Sequence, residues 1–279
     1  MSAHVTPYRA RGRQPRSFNP LVPTWNRTRQ KAMRPGRMMS VQIPPSVDWL
    51  QGMPAMLGGL LNAYDPAYPS GLVVGDCTIA CILHILQMFL FHSTGKFWTD
   101  DELRPVALKY YCLWCGYVEG NPSTDQGGNI QNVLTKWMTE GIELPDGTVH
   151  KILGFIELDT TNEAELREAV AVCGAVDFGA DIPDSYDQIN PGDSWLPNQG
   201  DPAAGHCFGS MKFLQPELIM ETWGFQVPMP PAAITEYVDE GYAILSSDWI
   251  LKTGKSPFNM SEDDIKAMME PLARSVAHA

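Results

Sequence analysis

The first forty residues contain no aspartate or glutamate, although the 279-residue chain has 32 of them. Nine arginines and lysines lie in that stretch, so a segment of charge +9 precedes a body of charge −21. Such an asymmetry marks a short interaction arm. An apolar h-region is also missing near the N-terminus, so no secretory signal is expected. The longest apolar stretch, residues 78–91, is broken by His84 and Gln87 and falls short of the ~20 residues that a membrane span requires. Six cysteines in a chain of this length make no disulfide framework and point to a reducing compartment. Cys112-Leu113-Trp114-Cys115 has no second Cys pair, which reads as core thiols on an aromatic helix rather than as zinc ligands. Gly127-Gly128 is not followed by Lys-Ser/Thr and is no phosphate loop. The acidic stretch 181–201 lacks the spacing of a calcium loop and reads as solvated. Neither a metal nor a cofactor is expected.

What is present suits a globular protein. With 44% apolar residues and eight Trp, the chain can build one substantial core plus an extension. Residues 1–46, rich in Arg and Pro and holding Tyr8 and Trp25, show no periodic apolar pattern. They read as an extended basic arm that cannot offset its own ordering entropy. Residues 47–255 form the globular domain, and 256–279 a C-terminal helix and tail. Within the domain, 47–74 is loop-like and 78–91 reads as one buried helix, in which His84 is a core histidine. Thr99-Asp100-Asp101-Glu102 is a capping box for a helix reaching about Cys115. Asn129 caps a helix to about Glu140, ended by Gly141. Then the pattern changes. Residues 149–157 alternate as a strand, Asn162 caps a short helix closed by Gly174, and 175–180, 207–213, 218–222 and 242–246 are further strands. Ser261 caps a last helix that Pro271 should stop near Glu270. Helices first and mostly antiparallel strands afterwards is the α+β pattern.

Gly75-Asp76-Cys77 places a thiol at the start of the apolar helix, where unpaired backbone N–H groups and the helix dipole favour the thiolate. His206 comes 129 residues later in Gly205-His206-Cys207, and then Glu221-Thr222-Trp223-Gly224. This order of thiol, imidazole and polar residue before Trp-Gly resembles that of the papain-like cysteine peptidases. The likeness covers roughly residues 70–250. Trp98-Thr99-Asp100-Asp101-Glu102-Leu103 is similar to a helix start of those enzymes. Gly127-Gly128, then a helix, then Gly141-Ile142 is similar to their Gly-Gly segment and its later Gly-Ile pair. The Gly-Asp-Cys-Thr start is most similar to a phage and bacterial papain-like group.

The resemblance implies a papain-like α+β fold in which a central buried helix carrying Cys77 packs against a mostly antiparallel β-sheet, with the extended N-terminal arm outside it. It makes Cys77 the nucleophile and His206 the general base. Glu221 stands where the family has Asn, accepting a hydrogen bond from the imidazole and favouring the thiolate–imidazolium pair by its charge. Trp223 shields that contact. The family's oxyanion Gln is replaced by Gly71, leaving Ser70, Gln126 or a backbone N–H as donor, and one missing donor costs about 10²–10³ in turnover. The aromatic residue after the nucleophile is replaced by Thr78.

Two functions are expected from this pattern. One is a virion-associated cysteine hydrolase acting on a peptide or amide bond of a peptide-like substrate. The other is a catalytically silent structural protein of a bacteriophage virion, in capsid or tail, anchored by its arm. In both, residues 1–46 leave the body and lie along another protein chain in a homo- or hetero-oligomeric assembly, Arg against carboxylate. Nucleic acid is the lesser partner, because a body of charge −21 repels it. The expected location is a virion or the host cytoplasm.

Overall fold

The computed structural model describes residues 12–32, 43–54, 63–67, 73–254 and 256–277. The chain begins with helix α1 (Trp25–Ala32) and a short strand β1 (Ser46–Asp48), followed by helices α2 (Cys77–Thr94), α3 (Asp100–Cys115) and α4 (Ile130–Thr139). Strands β2 (Ile142–Glu143) and β3 (Val149–His150) pair with each other, so the stretch 149–157 is two strands rather than one, the second being β4 (Gly154–Glu157). Then come α5 (Glu163–Cys173), β5 (Val176–Ile182), β6 (Ala204–Leu214), β7 (Glu217–Thr222), β8 (Phe225–Met229), α6 (Pro231–Tyr237), β9 (Val238–Leu245), α7 (Ser247–Thr253) and α8 (Glu262–Ala277).

The main sheet has seven strands in the order β4-β9-β5-β6-β7-β8, with β1 paired to β6, and every pairing is antiparallel. Strand β6 is long enough to serve two partners along one edge. Residues 204–210 pair with β5, and 212–214 pair with β1. Strand β8 carries Pro228, which cannot donate to a ladder and is tolerated because β8 is the sheet's outer strand.

Local signals account for the helix boundaries. Thr99 and Glu102 make the reciprocal capping box of α3, and Gly116 ends it at φ 79°. Asn129 and Asn162 cap α4 and α5 through their side-chain oxygens. Helix α8 runs on through Pro271 to Ala277, beyond the expected stop, because Ile265, Met269 and Leu272 continue its buried face. Helix α2 has 18 residues, more than its purely apolar run. It is long and apolar enough to cross a membrane, but 78% of it is buried within the protein, where it packs on β6. The fold is therefore a papain-like α+β arrangement, with the Cys77 helix packed against the antiparallel sheet.

The arm departs from expectation. Residues 12–32 lie on their own body. Val22 and Trp25 are buried in the core, and the Pro23 carbonyl accepts a hydrogen bond from Glu157 N at 2.9 Å. Arg29 pairs with Glu168 at 3.3 Å. Among the described residues of the arm, Arg13, Arg16 and Arg29 meet carboxylates of the same chain. Apolar anchors at positions 22 and 25 make that possible without a helix-length pattern. Residues 1–11 and 33–42 lie outside the described residues.

Candidate active site

Cys77 opens α2, so its side chain leaves the first turn toward β6. Its sulfur accepts backbone N–H hydrogen bonds from Cys207 and from Gly12 of the arm. Burial nonetheless pushes its pKa up to about 12, and the neighbouring Asp76 carboxylate adds to the rise. In this closed arrangement Cys77 is a thiol. The helix start does not overcome desolvation when the residue is only 2% exposed.

His206, near the start of β6, is buried beside it. The two residues line a cavity of about 20 Å³ together with His84, Cys207, Glu221, Thr222 and Trp223. His206 Nε2 lies 2.7 Å from Thr222 Oγ1, and Trp223 stacks on the imidazole at 4.5 Å with planes 16° apart. A two-residue hairpin loop explains the stacking. Trp223 and Gly224 join β7 to β8 with φ of 47° and 82°, the double positive φ of a tight I′-type turn. Gly adopts that conformation freely. A bulky residue does so at a cost of order 1 kcal/mol or more, and here it lays the indole over the histidine. Trp195, fully buried, meets both rings edge-to-face at 6.4 and 5.7 Å. Its loop was expected to be solvated. Instead Tyr186 stacks on Trp195 at 4.9 Å and closes the loop onto the site.

Glu221 lines the same cavity as Cys77 and His206, while the side chain bonded to His206 Nε2 is that of the next residue, Thr222. Successive residues of a strand face opposite ways, so with Thr222 on the imidazole, Glu221 lies on the face that its partner Gly209 turns toward Cys81 and Ile85 of α2. There Glu221 hydrogen-bonds Gln226 and feels Lys212, while burial pushes its pKa up to about 8. Gln126 is exposed, and its amide donates to Ser123 O at 3.0 Å, away from the cleft. Ser70 and Gly71 lie outside the described residues. Cys112 and Cys115 sit on α3 as half-buried free thiols, and His84 Nδ1 contacts Gln87 Oε1 at 3.1 Å within the core.

Sequence reading missed two groups. Asp125 accepts from Gly75 N at 3.0 and 3.1 Å and from Tyr111 Oη at 2.5 Å, and the same Tyr oxygen accepts from Gly127 N at 2.9 Å. One carboxylate thus ties the loop before Cys77 to the Gly127-Gly128 wall of the cleft. Behind Cys77, Asp177 Oδ1 accepts from the Cys81 and Cys207 thiols at 3.3 and 3.0 Å. Among the described residues this trio is the group of donors close enough to hold an ion. Burial raises both thiol pKa values, to about 12 for Cys81, which keeps them as hydrogen-bond donors.

Between the two walls runs the arm. Gly128 N donates to Gly12 O at 2.6 Å, Gln14 N donates to Gly128 O at 2.8 Å, and Arg13 N donates to Gly205 O at 3.3 Å. Arg13 and Gly128 thereby form a parallel bridge. The approach is so close that a Cβ at Gly12 would fall 1.5 Å from Gly75 O, and one at Gly127 would fall 1.9 Å from Gly12 O. Asn129 Nδ2 adds a bond to Pro15 O at 3.1 Å. A surface depression of about 640 Å³ between the arm and α8 holds none of these groups.

A buried cleft with a helix-start Cys, a Trp-covered His and glycine walls able to hold an extended peptide is the layout of a papain-like cysteine protease fold. Solved structures agree. Xylellain, a cysteine protease from Xylella fastidiosa, superposes with a TM-score of 0.59 over 88% of this chain and 99% of its own, at 16% identity. The Carica candamarcensis cysteine protease CMS1MS2, solved in complex with E-64, gives 0.50 over 73% of this chain and 99% of its own, at 14% identity. At these identities the likeness is one of fold. No family model and no curated protein matches the sequence.

Thr222 is a weaker orienter than an amide or carboxylate, but its loss should be measurable. Thr222→Ala removes a hydrogen bond worth ~1 kcal/mol. In a chain whose cleft has been opened, it should slow modification of Cys77 by a thiol-directed electrophile roughly fivefold. Thr222→Ser should restore the rate. A rate untouched by the alanine change would show that Trp223 and Trp195 hold the ring unaided.

Proposed function

We propose that the chain is a papain-like cysteine hydrolase of peptide or amide bonds, held closed by its own residues 12–17. The observation that supports this is the backbone pairing of Gly12, Arg13 and Gln14 with Gly128 and Gly205, beside Cys77 and His206: the cleft holds an extended peptide by its main chain. With the arm withdrawn, water reaches Cys77 and the desolvation that holds it as a thiol is relieved. With Nε2 engaged by Thr222, Nδ1 of His206 takes the Cys77 proton. The thiolate attacks the carbonyl carbon, the oxyanion faces the backbone N–H groups at the start of α2, and the imidazolium returns the proton to the departing amine. Water then hydrolyses the thioester and regenerates the thiol.

The test uses the full chain carrying Gly12→Val, whose side chain cannot fit against Gly75 O and so displaces the arm. Reaction with iodoacetamide from pH 5 to 9, with the modified cysteines mapped, should show Cys77 reacting faster than the half-exposed Cys112 and at a lower pH midpoint. Cys77 reacting no faster than Cys112 would sink the hydrolase reading.

A second reading is favoured by one observation: Gln126, the described candidate for a side-chain oxyanion donor, is turned away. On this reading the chain is a silent papain-like structural protein of a bacteriophage virion, in capsid or tail, anchored by its N-terminal arm. Virion residence is common to both readings, and co-sedimentation of the chain with particles tests it.

A further inference from the structure

Arg13 is 6% exposed although it belongs to an arm of basic, otherwise largely solvated residues. Its guanidinium is enclosed by three carboxylates from two strands. Nη1 donates to Asp239 Oδ1 at 2.5 Å and to Glu240 Oε1 at 2.9 Å, while Nη2 donates to Asp181 Oδ1 and Asp239 Oδ2, both at 3.1 Å. Asp239 accepts the planar fork with both oxygens, a geometry an ammonium cannot match. Glu240 forms the floor. Its side chain is fully buried, and its second oxygen accepts from Tyr242 Oη at 2.7 Å, which in turn accepts from Gln131 Nε2 at 2.9 Å.

The walls are shaped as well as charged. A Cβ at Gly179 would lie 2.5 Å from Arg13 Nη1 and 2.6 Å from Glu240 Cγ, so any side chain there would fill the pocket. A Cβ at Gly205 would lie 2.4 Å from Arg13 O, so glycine is what lets the backbone above the pocket approach β6. The pocket also exceeds the needs of one internal ion pair. Three carboxylates surround the Arg13 guanidinium, one of them without access to water, with Arg16 near enough to act on Asp239 and Glu240 as well, and Arg13 Nε is buried with no hydrogen-bond partner. An arm that only had to adhere could have used single ion pairs such as Arg29–Glu168. Gly12, the residue beside Arg13, donates its N–H to Cys77 Sγ, so the pocket is one residue from the nucleophile.

We propose that Asp181, Asp239 and Glu240 form the substrate subsite that selects an arginine side chain next to the bond attacked by Cys77, with Arg13 as its resident competitor. The subsite's part in turnover rests on the hydrolase reading; its guanidinium selectivity does not. When the arm withdraws, three carboxylates surround an emptied pocket whose floor is dry, and a guanidinium satisfies them as no neutral side chain can. The peptide favoured has arginine flanked by residues small enough to pass Gly75, Gly128 and Gly205, as Gly12-Arg13-Gln14 does.

The experiment measures binding rather than turnover. In the full chain carrying Arg13→Ala, titration calorimetry compares acetyl-Gly-Arg-Gln-amide with acetyl-Gly-Leu-Gln-amide. The arginine peptide should bind at least about tenfold more tightly. That preference should fall below about threefold in the chain that also carries Glu240→Gln and Asp181→Asn. These isosteric changes keep the Tyr242 contact and leave the fold to be checked by its melting. Equal affinity for the two peptides, or no binding of either at millimolar concentration, would overturn the proposal. Arginine-selective binding by a chain whose Cys77 proves inert would leave the pocket standing while the hydrolase reading falls.

Discussion

Replacing Arg13 with alanine in the full chain should raise the rate at which iodoacetamide modifies Cys77 by roughly 30- to 150-fold at pH 7. The closed form is held by main-chain bonds from Gly12 to Gln14, by Asn129 on Pro15, and by the Arg13 guanidinium. The main-chain bonds exchange for water on opening, with a net change near 1 kcal/mol each at most. The guanidinium does not exchange so evenly, because truncating it leaves Glu240 fully buried and without its cation. Breaking a buried charge pair from one side costs about 3–5 kcal/mol. Asp181 and Asp239 are 56% and 41% exposed and are rehydrated in place, so about 2–3 kcal/mol is the fairer figure. That difference in the closing equilibrium is the fold-change given. Arg13→Lys should recover part of the closure but not all, since an ammonium cannot use both oxygens of Asp239. Unchanged labelling in Arg13→Ala would mean that the arm is held elsewhere, by Val22 and Trp25, and that Arg13 is a passenger. Labelling that rises equally at Cys77, Cys81 and Cys207 would mean general loosening rather than cleft opening.

How far the sequence spoke for this site depended on whether a residue's partners were local. Cys77 at the start of an apolar helix, the Thr99 capping box and Asn129 before Gln131 are signals within one turn, and α2, α3 and α4 start where those signals place them. The sheet was legible in part. Strands β5, β6 and β7 lie where short apolar runs were read as strands, whereas β8 was hidden by Pro228, acceptable only because the strand is outermost, a fact of the assembled sheet. The split between Glu221 and Thr222 has the same root. Alignment to a motif fixes an order of residues, but side-chain direction on a strand is fixed by register: Glu221 shares with its partner Gly209 the face turned toward α2, and Thr222 takes the imidazole. Asp125 and Tyr111 gave no signal because they act on backbone N–H groups 50 and 16 residues away. The arm was legible in charge but not in destination. Nothing in residues 12–17 says which acidic surface they meet until β5 and β9 bring Asp181 beside Asp239 and Glu240.

Glu221 should reveal its structural role through pH. Its pKa is pushed up to about 8 by burial, against ~4.3 in the unfolded chain. Asp177, enclosed with Cys81 and Cys207, is raised to about 7 for the same reason, against ~3.9. Between about pH 4 and those raised values the folded protein holds protons that the unfolded chain has released. Stability therefore falls as pH rises through that window and levels off above it. For Glu221 the full window corresponds to several kcal/mol at most, and between pH 5 and 8 to about 2–4 kcal/mol after allowing for relaxation of the site. Glu221→Gln keeps the shape and the contact with Gln226 while removing the titration. Urea midpoints should thus show the variant near wild type at pH 5 and more stable by that amount at pH 8. Asp177→Asn should flatten the part of the slope below about pH 7. Parallel pH profiles for wild type and Glu221→Gln would mean that Glu221 is ionised in the fold, paired with Lys212 across the sheet. The same variant separates the two roles this carboxylate could have. In the arm-displaced chain, Glu221→Gln should leave Cys77 modification unchanged, because Thr222 rather than Glu221 faces His206. A clear slowing would show that Glu221 acts on the imidazole from its place in the shared cavity.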